Sequence, residues 1–317
     1  MESASAIGQM AGNRVDQAFS ALDDGAAQVS AYTESLTPMP DTQPRSNAIW
    51  GQLYGARGSV DAAGGNAGVG SSNGGVVIGL DGLVSDWRLG LLLQGGLSDT
   101  RVATLNASAS STDYGLGIYG GREFGDTLLT FGATYTRHDN HTTRQVSFPG
   151  FVDKLSASYA SGTTQVFANV SHELDFGAVS LKPYAGLAHV IQATDGFTET
   201  GGAAALTSTD SLINATFASL GLGIERQFVV GGDMLLTASG SIGWRHAFAE
   251  TPVSAHRFGT GPSFSITGRP ATSDLLTLGT GLALDVGGGV NLDLTYTGQI
   301  GGGTQTHALQ GIWSQRF

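Results

Sequence analysis

Repeated alternation of apolar and polar side chains, without one long apolar run, is the feature that most restricts this chain. In residues 290–300, Leu292, Leu294 and Tyr296 oppose Asn291, Asp293, Thr295 and Thr297. From Met234 onward, Leu236, Ala238, Ile242 and Trp244 oppose Thr237, Ser239, Ser241 and Arg245. At 87–98, Trp87, Leu89, Leu91, Leu93 and Leu97 oppose Arg88, Gln94 and Ser98, with Leu92 out of step. Between Leu276 and Leu284, four leucines alternate with Thr277, Gly279, Gly281 and Ala283. A period of two is that of a strand with one apolar and one polar face. The longest apolar runs, such as LLL at 91–93, fall far short of the roughly 20 residues that a membrane helix needs. Strands set between lipid and a wet interior satisfy both observations.

The connections come in two lengths. SDW (85–87), EFGD (123–126), DFGA (175–178), VGGD (230–233) and GGG (287–289) are short. They alternate with Gly/Ser/Thr-rich stretches near 60–73, 102–110, 140–157, 196–210 and 250–263, and GGGT (301–304) joins the last two strands. Twelve strands follow, at roughly 47–59, 74–85, 87–101, 110–122, 126–140, 157–174, 178–195, 208–227, 233–249, 263–286, 289–300 and 304–317. An even number suits a closed antiparallel transmembrane barrel, and closure removes the edges that so long a sheet would expose. Trp50, Trp87, Phe124, Phe176, Phe228, Trp313 and Phe317 lie near strand ends, where an interfacial girdle is expected.

Residues 1–46 follow another rule. Val15, Ala18, Phe19, Leu22, Ala26 and Val29 recur at helical spacing, and no proline precedes Pro38. A helix over about residues 7–35 would be about 43 Å long, enough to thread a bilayer-spanning barrel. Pro38, Pro40 and Pro44 make an extended connector. Two units are therefore expected: a linker at 1–46, and a barrel at 47–317 with Val15, Phe19, Leu22 and Ala26 on the lumen helix.

Composition removes several function classes. Charged residues are 13%, against roughly 25% in an average soluble domain, which fits lipid-facing strands. The absence of cysteine excludes disulfide frameworks, thiol catalysis and cysteine zinc sites, and suits passage through an oxidising compartment. A net charge of −11 without a basic cluster argues against nucleic acid. MESASAIGQM lacks a basic n-region and an apolar core, so an exported chain of this kind would carry its signal upstream of Met1.

Motifs that suggest chemistry fail on context. GSSNG (70–74) satisfies GxSxG, but lies in a glycine-rich loop with a strand after it instead of a strand-to-helix turn. GLGIYG (115–120) satisfies a dinucleotide fingerprint within a strand, without the required helix. His138 and His141 stand at a strand-to-loop transition beside Asp139, where solvated histidines are the simpler reading than a metal site. Arg57, Arg88, Arg245, Asp285 and Asp293 are candidate polar lining of the lumen, and no cofactor or metal is expected.

The chain ends THALQGIWSQRF, with Phe317, Trp313 and Leu309 on one face and Arg316, Ser314, Gln310 and Ala308 on the other. A terminal aromatic closing such a strand has the form of the assembly signal of outer-membrane barrels. Further motifs follow in order: WGQLYGARGSVDAAGGNAG (50–68), GGVVIGLDGLVSDWRLGLLLQ (74–94), FPGFVDKLSASY (148–159), KPYAGLAHV (182–190), TDGFTETGGAAAL (194–206), GWRHAF (243–248) and YTGQIG (296–301). Together they resemble the translocator domain of bacterial monomeric autotransporters, the type V secretion proteins.

The resemblance implies an integral barrel of the Gram-negative outer membrane, monomeric, with a helix through its lumen and a passenger N-terminal to it. It implies secretion or surface display of that passenger, insertion by the outer-membrane assembly machinery with periplasmic chaperones, and contact with outer-membrane lipid and lipopolysaccharide. Some members cut their passenger inside the lumen at an Asn of the helix. Asn13 is the one Asn in the helix, and AGNRV does not match the paired-Asn cleavage sequence. The domain is therefore expected to be a translocator and anchor without catalysis. The alternatives are a self-cleaving barrel, a precursor with a hydrolase passenger, and a free-standing pore.

Overall fold

The computed structural model describes residues 47–231, 234–268 and 271–317. The expected 1–46 linker, its lumen helix with Asn13, Val15, Phe19, Leu22 and Ala26, and the proline connector lie outside the described residues. From Asn47 onward the chain forms twelve long antiparallel strands: β1 (Asn47–Val60), β2 (Val69–Val84), β3 (Trp87–Val102), β4 (Ala107–Phe124), β5 (Thr127–Phe148) and β6 (Phe151–His172). The second half comprises β7 (Ser180–Thr194), β8 (Ser211–Gly231), β9 (Met234–Ala249), β10 (Asp274–Asp285), β11 (Val290–Gly301) and β12 (Thr304–Arg316). Each pairs with its neighbours in sequence, and β12 pairs with β1 from Ala48↔Arg316 to Val60↔Thr304. The sheet is closed, so no long edge strand remains to template aggregation.

Packing is inverted relative to a soluble domain. Leu53, Ile78, Leu91, Leu116, Leu187, Leu220, Leu282 and Leu309 are exposed, while Gln52, Asp81, Arg88, Gln94, Thr134, Gln165 and Gln310 are buried. The exposed set is the alternating apolar face of the strands. It forms a band whose removal from water contributes roughly 25 cal/mol per Å². Aromatic side chains rim this band. Trp87, Phe124, Phe228, Trp313 and Phe317 stand on the short-turn side, and Tyr114, Tyr135, Trp244 and Tyr296 on the long-loop side. Trp50 departs from the expected girdle. It shares the parity of Gln52 rather than that of Ile49 and Leu53, so it turns inward and is 1% exposed.

Several expected loops carry regular structure. The stretch 140–157 is not a loop: β5 and β6 pair without interruption from Thr127↔His172 to Phe148↔Phe151. A two-residue turn joins them, with Pro149 in its first central position and Gly150 at φ +83° in its second. Above Tyr135 the hairpin continues as an arm of about 40 Å of strand. Along the β5 half, from Arg137 to Gln145, both faces are polar, which removes the alternation that would have revealed it, whereas Leu155 and Ala157 of β6 are buried. Likewise β10 starts at Asp274, not near 263. The residues before it form a short hairpin, Val253–Phe258 with Phe264–Thr267, which joins Leu206–Ser208 and Phe197–Thr198 in a separate four-stranded sheet.

That small sheet is braced against the arm. Arg144 donates to Glu199 through Nε at 2.7 Å and through Nη2. The Glu199 carboxylate also accepts the backbone N–H of Leu206 at 2.9 Å, and Asp153 accepts that of Ala204 at 2.8 Å. Tyr159 and Phe197 stack at 4.3 Å. A charge-assisted fork and a ring stack therefore order the long-loop rim.

Candidate functional site

The inner wall has two unlike regions. Along β1–β4, near the short-turn rim, one hydrogen-bonded chain runs across the strands. Trp50 Nε1 donates to the Tyr119 hydroxyl at 2.7 Å, and that hydroxyl donates to Asp81 Oδ2 at 2.8 Å. Arg88 Nη1 donates to the other carboxylate oxygen at 2.6 Å, and both charged side chains are fully buried. Val77, Leu92 and Phe167 pack against the two aromatic rings. This is why Leu92 breaks the alternation of β3: it belongs to an apolar cluster inside the barrel. Two glycines admit the rings. A Cβ at Gly79 would stand 2.5 Å from the Trp50 indole, and one at Gly90 would stand 2.2 Å from the Tyr119 ring.

The opposite wall lines a cavity of about 1440 Å³, bounded by residues of β5–β12 and by the short turns. Its lining mixes polar side chains, Gln165, Asn169, Thr277, Asp293, Thr295 and Gln299 among them, with apolar ones such as Phe167 and Phe217. Lys182 Nζ lies 3.0 Å from Glu225 and 3.4 Å from Glu173. Arg245 lays its guanidinium 4.0 Å from the Phe217 ring centre and reaches Gln299 Oε1 at 3.3 Å. The wall thus offers hydrogen-bonding groups beside apolar side chains such as Phe167, Tyr184 and Phe217.

Four of the five residues expected to line the lumen point inward. Arg88 and Arg245 are buried. Asp285 lies at the end of β10, where it accepts the N–H of Gly287 at 2.7 Å, and Asp285 and Asp293 both border the cavity. Arg57 is the correction. Counting in twos from Ile49 and Leu53 puts it on the outward, exposed face of β1, opposite His307 of β12. At the terminus, Leu309, Trp313 and Phe317 all face outward and are exposed, and the Phe317 N–H donates to the Asn47 carbonyl at 2.9 Å across the β12–β1 seam.

His138 and His141 sit within β5, not in a loop, and face opposite sides. His141 is exposed beside Ser158. His138 places Nδ1 2.7 Å from Asp113 Oδ1 and Nε2 2.9 Å from Thr163 Oγ1. Ser111 and Ser98 also donate to Asp113, at 2.6 and 3.0 Å. The order Asp–His–Thr has the form of a nucleophilic triad. Yet Thr163 lies in mid-strand, paired on both sides, so the backbone N–H groups around it serve the sheet ladder and none is offered to an oxyanion. The group is a polar tie across β3–β6. Spacing along one strand could not reveal it, because it joins residues of four strands. Among the described residues no group of three or more His, Asp or Glu could hold a metal.

Comparison with known proteins agrees with this architecture. Residues 49–297 match the family model "Autotransporter beta-domain". An extracellular serine protease of Serratia marcescens is 29% identical over 302 residues, which is 93% of this chain but 28% of that protein. This chain thus spans little more than a quarter of the curated relative. The translocator domain of the autotransporter NalP from Neisseria meningitidis superposes with a TM-score of 0.69 at 17% identity, covering 100% of this chain and 98% of that one. The beta domain of the Bordetella autotransporter BrkA gives 0.62 at 16%, over 86% and 100%. The chain therefore belongs to the autotransporter beta-domain family, as a barrel of the Gram-negative outer membrane.

Proposed function

We propose that this barrel carries its N-terminal passenger outward through the lumen, and then holds residues 7–35 there as a helical plug. The observation that carries the reading is the cavity of about 1440 Å³ within a closed sheet, on the wall opposite the packed cluster. The described strands also begin at Asn47 on the short-turn rim, so a passenger displayed beyond the long loops must cross the barrel. Short turns mark the periplasmic side of such barrels.

On this reading the terminal strand, with Phe317, Trp313 and Leu309 outward, is the signal read by the outer-membrane assembly machinery after delivery by periplasmic chaperones. Loss of Phe317 would then lower outer-membrane levels much more than the heat resistance of barrel already folded. Outer-membrane lipid and lipopolysaccharide surround the apolar band. The Serratia relative is named a serine protease, which supports a hydrolase passenger upstream of this chain. On this reading the barrel translocates and anchors without a catalytic step of its own.

Planar-bilayer recording tests the plug. Chain lacking residues 1–35 should open a large steady conductance, and the full chain should stay nearly closed. Equal conductance would end the plug reading. The self-cleaving alternative is tested on the passenger-bearing precursor. Scission within the helix without added protease, abolished by Asn13→Ala, would replace passive anchoring with autoproteolysis.

A further inference from the structure

Arg57 raises a question that the lumen does not answer. It is outward and exposed, and among the described residues no ion pair or hydrogen bond engages its guanidinium. Directly opposite it on β12 is His307, also outward. Tyr296 of β11 reaches His307 Nδ1 with its hydroxyl at 2.7 Å, and the two rings lie nearly parallel, 6.1 Å apart at 21°. Gly298 makes this possible: a Cβ there would stand 3.2 Å from the Tyr296 hydroxyl. The nearest outward carboxylate by register is Asp99, two strands away beyond Ser72.

Depth places this cluster at a headgroup level. Outward positions on β1 run Ile49, Gly51, Leu53, Gly55, Arg57. Eight residues of tilted strand rise about 20 Å, close to the roughly 25 Å height of a barrel's apolar band. Arg57 and His307 therefore sit on the long-loop edge of the band. The wall below them is hollow, because the outward positions Gly51 and Gly311 carry no side chain. A lipid-facing groove of about 430 Å³ opens there, lined by Leu53, Leu282, Leu284, Leu292, Leu294 and Trp313. A cationic and hydrogen-bonding head above an apolar groove has the shape of a site for one amphipathic anion.

We propose that the β11–β12–β1 face binds a phosphorylated glycolipid of the outer leaflet, the lipid A portion of lipopolysaccharide. A phosphate lies against Arg57 and His307, and one acyl chain lies in the groove. Arg57 supplies a planar fork suited to phosphate oxygens. His307, held in place by Tyr296, supplies a second donor. The cluster lies on the side of the long loops, where the outer leaflet is, so the glycolipid is its ligand rather than a periplasmic-leaflet phospholipid. The inference rests on that orientation, which has its own test: protease added to intact cells should cut within residues 250–268.

Native mass spectrometry of the folded chain in detergent can titrate lipid A against the same lipid stripped of phosphate. The phosphorylated form should bind about ten-fold more tightly, and the double variant Arg57→Gln, His307→Gln should lose most of that difference. Arg57→Lys should keep more of it than Arg57→Gln. Gly311→Leu, which fills the groove, should weaken both lipids. Arg226→Gln, at an outward arginine on the opposite edge of the band next to Phe228, should change nothing. Equal binding of the two lipids by unaltered chain would overturn the proposal, and so would full phosphate preference in the double variant or an equal loss in Arg226→Gln.

Discussion

The two halves of the inner wall solve the same problem differently. Along β1–β4 the interior is filled: Trp50, Tyr119, Asp81 and Arg88 form one buried chain of hydrogen bonds with apolar side chains packed around it. Across the lumen, the wall of β7–β11 borders the cavity, and Lys182 pairs there with Glu225 and Glu173 in partly exposed positions. Burial makes the first set mutually dependent, because a desolvated charge needs its partner. Partial exposure makes the second set replaceable, because water can take a partner's place. One wall is built for rigidity next to the seam, and the other for room.

The contrast should appear most strongly at Arg88. Arg88→Met strands the Asp81 carboxylate in a buried site, and removing one partner of such a pair costs about 3–5 kcal/mol. Urea unfolding in detergent, followed by the gel shift between folded and unfolded barrel, reads this directly. An unchanged midpoint would mean that the buried chain does not hold the wall together.

Gly90→Ala probes the same cluster through shape. The added methyl would sit 2.2 Å from the Tyr119 ring, so the ring must move and its bonds to Trp50 and Asp81 must stretch. About 1–3 kcal/mol of destabilisation is expected, the usual range for overpacking. A smaller midpoint change than for Gly51→Ala, where nothing lies near the added methyl, would remove the steric account.

The smallest effect belongs to the open wall. Lys182→Met breaks pairs that are partly in water, so the stability change should stay within about 1 kcal/mol. In chain lacking residues 1–35 the same change should instead alter the cation-to-anion permeability ratio, since Glu225 and Glu173 lose their neutralising partner beside the cavity. A midpoint loss as large as that of Arg88→Met would erase the distinction between the walls.

Much of this molecule was legible from alternation, and the misreadings share one cause. Within the lipid band, one face of each strand must be apolar, so the pattern marks the strand and its sides. Leu292, Leu294 and Tyr296 all face outward as read. Above the band the polar residues of β5 carry no alternation, and the stretch 140–157 of the β5–β6 arm reads as loop. Inside, Leu92 and Trp50 break the rule because the interior has its own apolar cluster. Arg57 was misplaced because a charge was expected to avoid the lipid side. At the edge of the band, that expectation no longer holds.

By itself, then, the sequence determined that twelve strands alternate, that turns and loops take opposite rims, and that the terminus ends on outward aromatic residues, since each depends on residues close together in the chain. Only the tertiary structure decided which strands' side chains meet. Asp81 and Arg88 are 7 residues apart, but Tyr119 and Trp50, 69 apart, complete their chain, and Arg57 meets His307 only across the closing seam. Those partners depend on the registers at which twelve strands close, and a period of two is the same at every register that shifts by two.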